Sequence, residues 1–201
     1  TRTPGCAAKS RLIVEDGFHE DLIEAVKAAA ARLVPGDPLD GCTNFGAIAT
    51  SQQFRRIQGF IGTARTEGAT VAMDGGPWGR NSMAPVILAD VRPDMAIARE
   101  EVFGPVLAVM RFRDFDEAIS LANATPYGLA ATVWTRDSRR AHAAIRGIRA
   151  GRIMVRASAA AGEHSGFSLG MEPWRASGFG MEGGMEGLRS YCRGKATEMV
   201  C

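Results

Sequence analysis

Apolar positions along this chain alternate between two textures, short continuous runs and longer stretches in which they recur every third or fourth residue. Arg11-Leu12-Ile13-Val14 is a run of the first kind and predicts a short buried strand. Across residues 16–33, Phe18, Leu22, Val26, Ala29 and Leu33 recur at helical spacing until Pro35-Gly36 ends the pattern. Thr50 and Gln53 have capping-box spacing ahead of a helix with Phe54, Ile57, Ile61 and Ala64 on one face, stopping near Gly68. Residues 70–73 and 84–88 read as strands, with Pro85 confining the second to a sheet edge or a strand start.

The run Val106-Leu107-Ala108-Val109-Met110 predicts a further buried strand. Asp114 and Glu117 repeat the capping-box spacing and open a helix with Phe115, Ile119 and Ala122 inward. Residues 129–134 are apolar without alternation, the pattern of a strand covered on both faces. Asp137 caps the next helix, with Ala141, Ala144, Ile145 and Ile148 on one side until Gly151, and Ile153-Met154-Val155 follows as a strand. Such alternation predicts an α/β layered domain, a mostly parallel twisted sheet flanked by helices. Residues 157–187 are crowded with Gly, Ala and Ser, and a segment of that texture inside a domain is functional or disordered. Residues 188–191 and 195–200 predict a last helix and a terminal strand, so the domain is drawn as 1–187 with a C-terminal helix and oligomerisation strand over 188–201.

Composition narrows the function classes. At 201 residues, 46% hydrophobic and 23% charged, the chain is an ordinary globular sequence with no apolar run long enough to cross a bilayer, so no membrane partner is expected. A net charge of +2 with signs interspersed gives no electrostatic footprint for nucleic acid. The four cysteines show neither CxxC pairing nor the density of a secreted disulfide framework, which fits a reducing cytoplasm. His19, His142 and His164 have no metal-site spacing, so no metal is expected, and a Cys6–His164 hydrolase pair is a remote alternative. The chain opens Thr1-Arg2-Thr3-Pro4, without an initiator Met, as a processed product or a segment of a longer chain would.

Two stretches carry candidate chemistry. Glu100-Glu101-Val102-Phe103-Gly104-Pro105 leads into the run at 106–110 through a stiff corner, where a carboxylate and an aromatic are well placed to face a ligand. The alternative is a pair of solvated glutamates with Phe103 as a core plug. Thr3-Pro4-Gly5-Cys6-Ala7-Ala8-Lys9-Ser10 predicts a turn and one or two helical turns. With Cys6 at their start, the helix dipole and Lys9 would both favour its thiolate, which makes it a candidate nucleophile; a buried structural thiol is the alternative.

Taken together, these stretches resemble the aldehyde dehydrogenase superfamily, in particular the C-terminal, cysteine-bearing catalytic part of its subunit. The resemblance rests on Glu101-Val102-Phe103-Gly104-Pro105-Val106, then Leu121-Ala122-Asn123, Thr125-Pro126-Tyr127-Gly128-Leu129-Ala130 and Val133-Trp134-Thr135 in family order, with Cys6 five residues before Arg11. Gly36-Asp37-Pro38-Leu39-Asp40 and Ser177-Gly178-Phe179-Gly180 match two further stretches. It implies oxidation of a small-molecule aldehyde to a carboxylic acid with NAD or NADP. Cys6 would form a thiohemiacetal and then a thioester, and its backbone N–H would supply half of an oxyanion hole. Glu101 would bind the nicotinamide ribose hydroxyls and Phe103 would pack near the nicotinamide.

The resemblance also implies that a cofactor domain, a general-base glutamate and an oxyanion-hole asparagine are absent from this chain, so that alone it would be a poor dehydrogenase. Its partners would be a missing N-terminal half or further copies in a homo-oligomer. Local departures are Thr3-Pro4 where Gly-Gln is usual, Arg156 where asparagine commonly stands, and Arg175 in place of a lysine. Trp174 and Phe179 are candidates to line a substrate tunnel, or equally to anchor the glycine-rich loop. A catalytically silent fragment acting in oligomerisation and a cofactor-independent thioesterase at Cys6 are the competing functions.

Overall fold

The computed structural model describes residues 5–6, 8–37, 39–79, 81–158 and 169–200. The expectations placed on Thr3, Pro4 and His164, and Pro38 of the 36–40 stretch, fall outside these residues. The chain divides into two compact units, Thr1–Thr125 and Pro126–Cys201. That division falls at the start of the Pro126-Tyr127-Gly128 turn.

In the first unit, β1 (Arg11–Glu15), β2 (Thr70–Met73), β3 (Val86–Ala89) and β4 (Val106–Phe112) form one sheet in the order β1-β4-β3-β2. β4 runs parallel to β1 and to β3, and only β2 is antiparallel, which makes the sheet mostly parallel. Pro85 stands just before β3, an interior strand, so of its two possible roles it takes the strand start.

Period-two alternation sorts the strands' side chains into two buried layers. Val86, Leu88, Val106, Ala108 and Met110 pack on one face with Ile57, Ile61 and Ala64 of α2 (Ser51–Thr66), Ile97 and Ala98 of α3 (Ala96–Arg99) and Leu121 of α4 (Phe115–Asn123). Ile87, Ala89 and Val109 pack on the other with Val14 and with Ile23 and Ala30 of α1 (His19–Ala30). Burying both faces explains the unbroken apolar runs of β3 and β4.

Residues 16–33 do not form one helix. A 3-10 turn over Asp16–Phe18 precedes α1, and this rotates the buried face onto His19, Ile23 and Ala30, leaving Phe18 and Ala29 exposed. At the carboxyl end of the sheet the Arg111 guanidinium donates to Asp16 at 3.2 Å, Glu20 at 2.6 Å and Asp90 at 3.1 Å.

The second unit holds a parallel pair, β6 (Ala130–Trp134) and β7 (Arg152–Arg156), linked through α5 (Ser138–Gly147), which Asp137 caps through the Arg139 and Arg140 amides. The antiparallel pair β5 (Tyr127–Gly128) and β8 (Trp174–Arg175) lies beside it in sequence. The expectation that 129–134 is covered on both faces is corrected, because Trp134 stands exposed and its ring instead receives the Arg156 guanidinium, 5.7 Å from the centroid. Arg156, a departure from the family pattern, thus has a structural use. The last helix is α6 (Gly184–Arg189), earlier than 188–191, and residues 195–200 are exposed and pair with no strand among the described residues.

Candidate active site

The candidate residues of the first unit lie at the amino end of its parallel strands. Arg11 of β1 pairs with Ala108 of β4, and the Ala108 amide donates to the Ser10 carbonyl at 2.9 Å, carrying the ladder one residue further back. Cys6 precedes Arg11 by five residues (11 − 6), and Phe103 precedes Ala108 by five (108 − 103). Both residues lie ahead of their strands and outside the paired register, on segments that enter neighbouring parallel strands, about 4.8 Å apart where paired, from the same end of the sheet.

The expected helix after Cys6 is corrected. Ala8 N–H donates to the Gly5 carbonyl at 3.0 Å in a single turn, and the chain is already extended at Ser10 to meet β4. Too few residues remain for a helix nucleus, so there is no helix dipole to act on the sulfur. Cys6 is free and exposed, which removes the buried structural thiol.

Arg11 explains its own place in the motif. Its guanidinium donates to the carbonyls of Leu121 at 3.1 Å and Ala122 at 3.0 Å, satisfying the last turn of α4. Burial pulls its pKa below the ordinary value, yet a guanidinium stays charged at any physiological pH. The residue that sets the start of β1 thereby ties the cysteine-bearing segment to α4.

The Glu101–Pro105 corner is held from α2. The Gln53 side-chain amide donates to the Val102 carbonyl at 2.8 Å and the Phe103 carbonyl at 3.2 Å. Arg56 lies over the Phe60 ring, 4.9 Å from its centroid, and donates to the Glu101 carbonyl at 2.9 Å. Gly104 packs directly on Ile57, and the Pro105 carbonyl receives the Val86 amide at 2.8 Å.

Phe103 has φ 53°, a left-handed conformation costly for a bulky residue, and its ring is 41% exposed. It is therefore no core plug. Glu101 is exposed, and its carboxylate has no partner among the described residues. An acceptor-only carboxylate suits vicinal ribose hydroxyls, and an exposed ring on a fixed backbone suits a planar heterocycle, so both fit the nicotinamide-ribose end of a dinucleotide.

Gln53 and Arg56 were not among the expected site residues. Capping-box logic assigned Gln53 to its own helix terminus. Its backbone N–H does meet Thr50 Oγ1 at 3.1 Å, but the side chain turns to the corner.

Trp174 and Phe179 belong to the second unit. The Trp174 side chain and backbone crowd Gly128, and its ring also crowds Gly151; a Cβ at Gly151 would run into the Glu172 carbonyl, so these glycines let the 172–174 segment close in. Gly128 N–H donates to Ser177 Oγ at 2.9 Å. Trp174 packs against these glycines and stays half-exposed, while Phe179 is almost wholly exposed.

A model of the aldehyde dehydrogenase family matches residues 4–197. The chain belongs to the aldehyde dehydrogenase family. Among curated members of that family, aldehyde dehydrogenase 1 of Tanacetum cinerariifolium is 34% identical over 194 residues, 96% of this chain and 38% of the relative. The cytosolic aldehyde dehydrogenase 1 of Rattus norvegicus is 34% identical over 196 residues with the same coverage.

The solved NAD-dependent aldehyde dehydrogenase of Sinorhizobium meliloti superposes with a TM-score of 0.86 at 36% identity, covering 94% of this chain and 37% of that one. Aldehyde dehydrogenase C of Pseudomonas syringae, in a mutant complexed with NAD+ and octanal, gives 0.84 at 31% identity, covering 94% and 39%. This aldehyde dehydrogenase family chain spans less than two fifths of the length of these relatives.

Proposed function

We propose that this chain is the cysteine-bearing catalytic part of an aldehyde dehydrogenase that oxidises an aldehyde to a carboxylic acid with NAD or NADP. The parallel pairing of β1 with β4, which brings the Cys6 segment and the Glu101–Phe103 corner to the same end of the sheet, supports the reading. The Cys6 thiolate adds to the aldehyde carbon, forming a C–S bond while the carbonyl oxygen becomes an oxyanion. The backbone N–H of Cys6 donates to that oxyanion as it develops. Glu101 would accept hydrogen bonds from the ribose hydroxyls and Phe103 would present its ring to the nicotinamide, on a corner that Gln53 and Arg56 hold through its carbonyls. A nicotinamide cofactor held there would supply the two-electron acceptor for the hydride that leaves the former aldehyde carbon. The thioester left on Cys6 is cleaved by water, releasing the acid and restoring the thiol.

NAD is favoured by the S. meliloti and P. syringae relatives, and a cytosolic location by the name of the rat relative.

The test has two arms on the 201-residue chain. Exposure to p-nitrophenyl acetate followed by peptide mass spectrometry is expected to find the acetyl group on Cys6 and to find it lost in Cys6→Ser. A panel of aldehydes with NAD and with NADP is expected to give slow formation of reduced cofactor that Cys6→Ser abolishes. Acetylation confined to Cys42 or Cys192 would overturn the assignment of the nucleophile. Ester turnover at Cys6 with no cofactor reduction under any condition would favour a thioesterase instead.

A second reading draws on residues 195–200, exposed and unpaired among the described residues. An extended segment of this kind adds to a sheet edge of another copy. Sedimentation velocity is expected to show an oligomer that becomes monomer when residues 195–201 are removed.

A further inference from the structure

Three side chains on one face of α2 meet the successive residues Glu101 to Gly104. Gln53, Arg56 and Ile57 stand at i, i+3 and i+4, the spacing that sets side chains beside one another on a helix. Arg56 donates to the Glu101 carbonyl at 2.9 Å, Gln53 donates to the carbonyls of Val102 at 2.8 Å and Phe103 at 3.2 Å, and Ile57 packs on Gly104. Both Gln53 contacts come from Nε2. Because both partners are carbonyl oxygens, the side-chain amide can face them only through its nitrogen.

Those two contacts constrain the residue that lies between the carbonyls. In extended backbone successive carbonyls point to opposite sides, as the alternation along a strand requires. In helical backbone of either hand they point the same way, which is why peptide dipoles add along a helix. One nitrogen that reaches the oxygens of both Val102 and Phe103 therefore excludes an extended Phe103. The residue stands at φ 53°, left-handed backbone that is costly for a bulky side chain. Its ring is half-exposed, so core packing does not hold it there, and no other donor reaches either carbonyl among the described residues.

We propose that Gln53 is a positioning residue, whose side-chain amide keeps Phe103 in left-handed backbone and so sets the directions in which the Phe103 ring and the Glu101 carboxylate face. The proposal rests on the cofactor reading of this corner and adds to it a single hydrogen-bonding cause for the corner's shape.

The test is limited chymotrypsin digestion of the 201-residue chain and its Gln53 variants, with cleavage after Phe103 and after Phe112 followed separately by mass spectrometry. Chymotrypsin takes its substrate in extended form, so cleavage after Phe103 reads release of the clamp, while cleavage after Phe112 in β4 reads general unfolding. Gln53→Ala is expected to raise the Phe103 rate by about tenfold, the equivalent of two neutral hydrogen bonds, with Phe112 unchanged. Gln53→Glu keeps the shape but offers only acceptors, so it is expected to match or exceed alanine. Gln53→Lys restores N–H donors and is expected to stay within about threefold of the parent.

In a second arm, saturation-transfer NMR follows nicotinamide mononucleotide, which carries the nicotinamide and its ribose. Its binding is expected to weaken by about tenfold in Gln53→Ala and Gln53→Glu and to recover in Gln53→Lys. Equal rises at Phe103 and Phe112, a Gln53→Lys protein cleaved like Gln53→Ala, or weakened nicotinamide mononucleotide with Phe103 cleaved at the parent rate would each overturn the clamp. A parent chain that binds no nicotinamide mononucleotide would overturn the cofactor reading instead, and the order of cleavage rates then decides the clamp.

Discussion

Replacing Gly104 with alanine would place a methyl group 2.5 Å from Ile57 Cδ1, 2.8 Å from its Cγ1 and 3.3 Å from its Cγ2. Ile57 is 0% exposed and sits among packed neighbours, so it has no free volume into which to swing. Overpacking of this kind costs roughly 1–3 kcal/mol. Against it, alanine restricts the unfolded chain and returns about 0.4–1 kcal/mol. Gly104 is not in the left-handed region, so no φ penalty adds to the sum. The expected net loss is about 1–2 kcal/mol.

Ile57→Val removes Cδ1, the nearest atom, and alone costs about 0.5–1.5 kcal/mol. In the double variant the new methyl enters the vacated space, so the combined loss should fall short of the sum by about 1 kcal/mol. Urea unfolding of the four proteins, followed by far-ultraviolet circular dichroism, reads this coupling. Additivity within about 0.3 kcal/mol, or a Gly104→Ala protein as stable as its parent, would refute the claim that Gly104 fixes the corner against α2.

Further outcomes follow from the same contacts. Because Phe103 is held at φ 53°, Phe103→Gly should be more stable than Phe103→Ala by about 1 kcal/mol in urea midpoints; the reverse order would deny the strain. Arg11→Met should cost about 1.5–3 kcal/mol and raise amide exchange in the last turn of α4, whose Leu121 and Ala122 carbonyls lose their donor. His19 is 1% exposed, with Nδ1 on Glu20 at 3.1 Å and Nε2 without a partner, so His19→Leu should leave thermal stability unchanged or higher despite losing the Glu20 contact.

The Arg111 cluster makes stability fall in acid. Hydrogen bonds from Arg111 and then His19 hold Glu20 below the usual carboxylate range. For Asp90, burial pushes upward most strongly but is outweighed by hydrogen bonds from Thr70 and Arg111, so it too is lowered. A lowered carboxyl contributes stability above its unfolded value and loses it as pH falls through the folded one. Urea midpoints should therefore drop below about pH 4, and the drop should be shallower in Arg111→Met. Parallel profiles for the two proteins would contradict this.

Much of the fold was legible because the signals were local. Thr50, Asp114 and Asp137 cap their helices as their spacing predicts, and the buried runs at 86–89 and 106–110 are strands covered on both faces. What failed depended on partners that spacing does not reveal. The register of α1 was set by a 3-10 turn that periodicity averages away, so His19 went unnoticed as a buried residue.

The apolar run at 129–134 looked like a strand covered on both faces, yet among the described residues it pairs only with β7 and leaves Trp134 to Arg156. The segment at 195–200 has strand composition without a strand beside it among the described residues. In the site, the corner and the cysteine were visible as motifs. Gln53 and Arg56 were not, because polar residues on a helix surface carry no signal until the tertiary contact is known.

The account depends on Cys6 and Phe103 meeting at one end of the sheet. Spin labels at Cys6 and at Phe103→Cys, with Cys42, Cys192 and Cys201 replaced by serine, measure this directly by pulsed electron–electron resonance. Entry from the same end into neighbouring parallel strands, about 4.8 Å apart where paired, predicts a mean label separation within about 20 Å with two label tethers. A separation near 35 Å, which the chain's reach of about 3.3 Å per residue would permit if the two segments diverged, would contradict it.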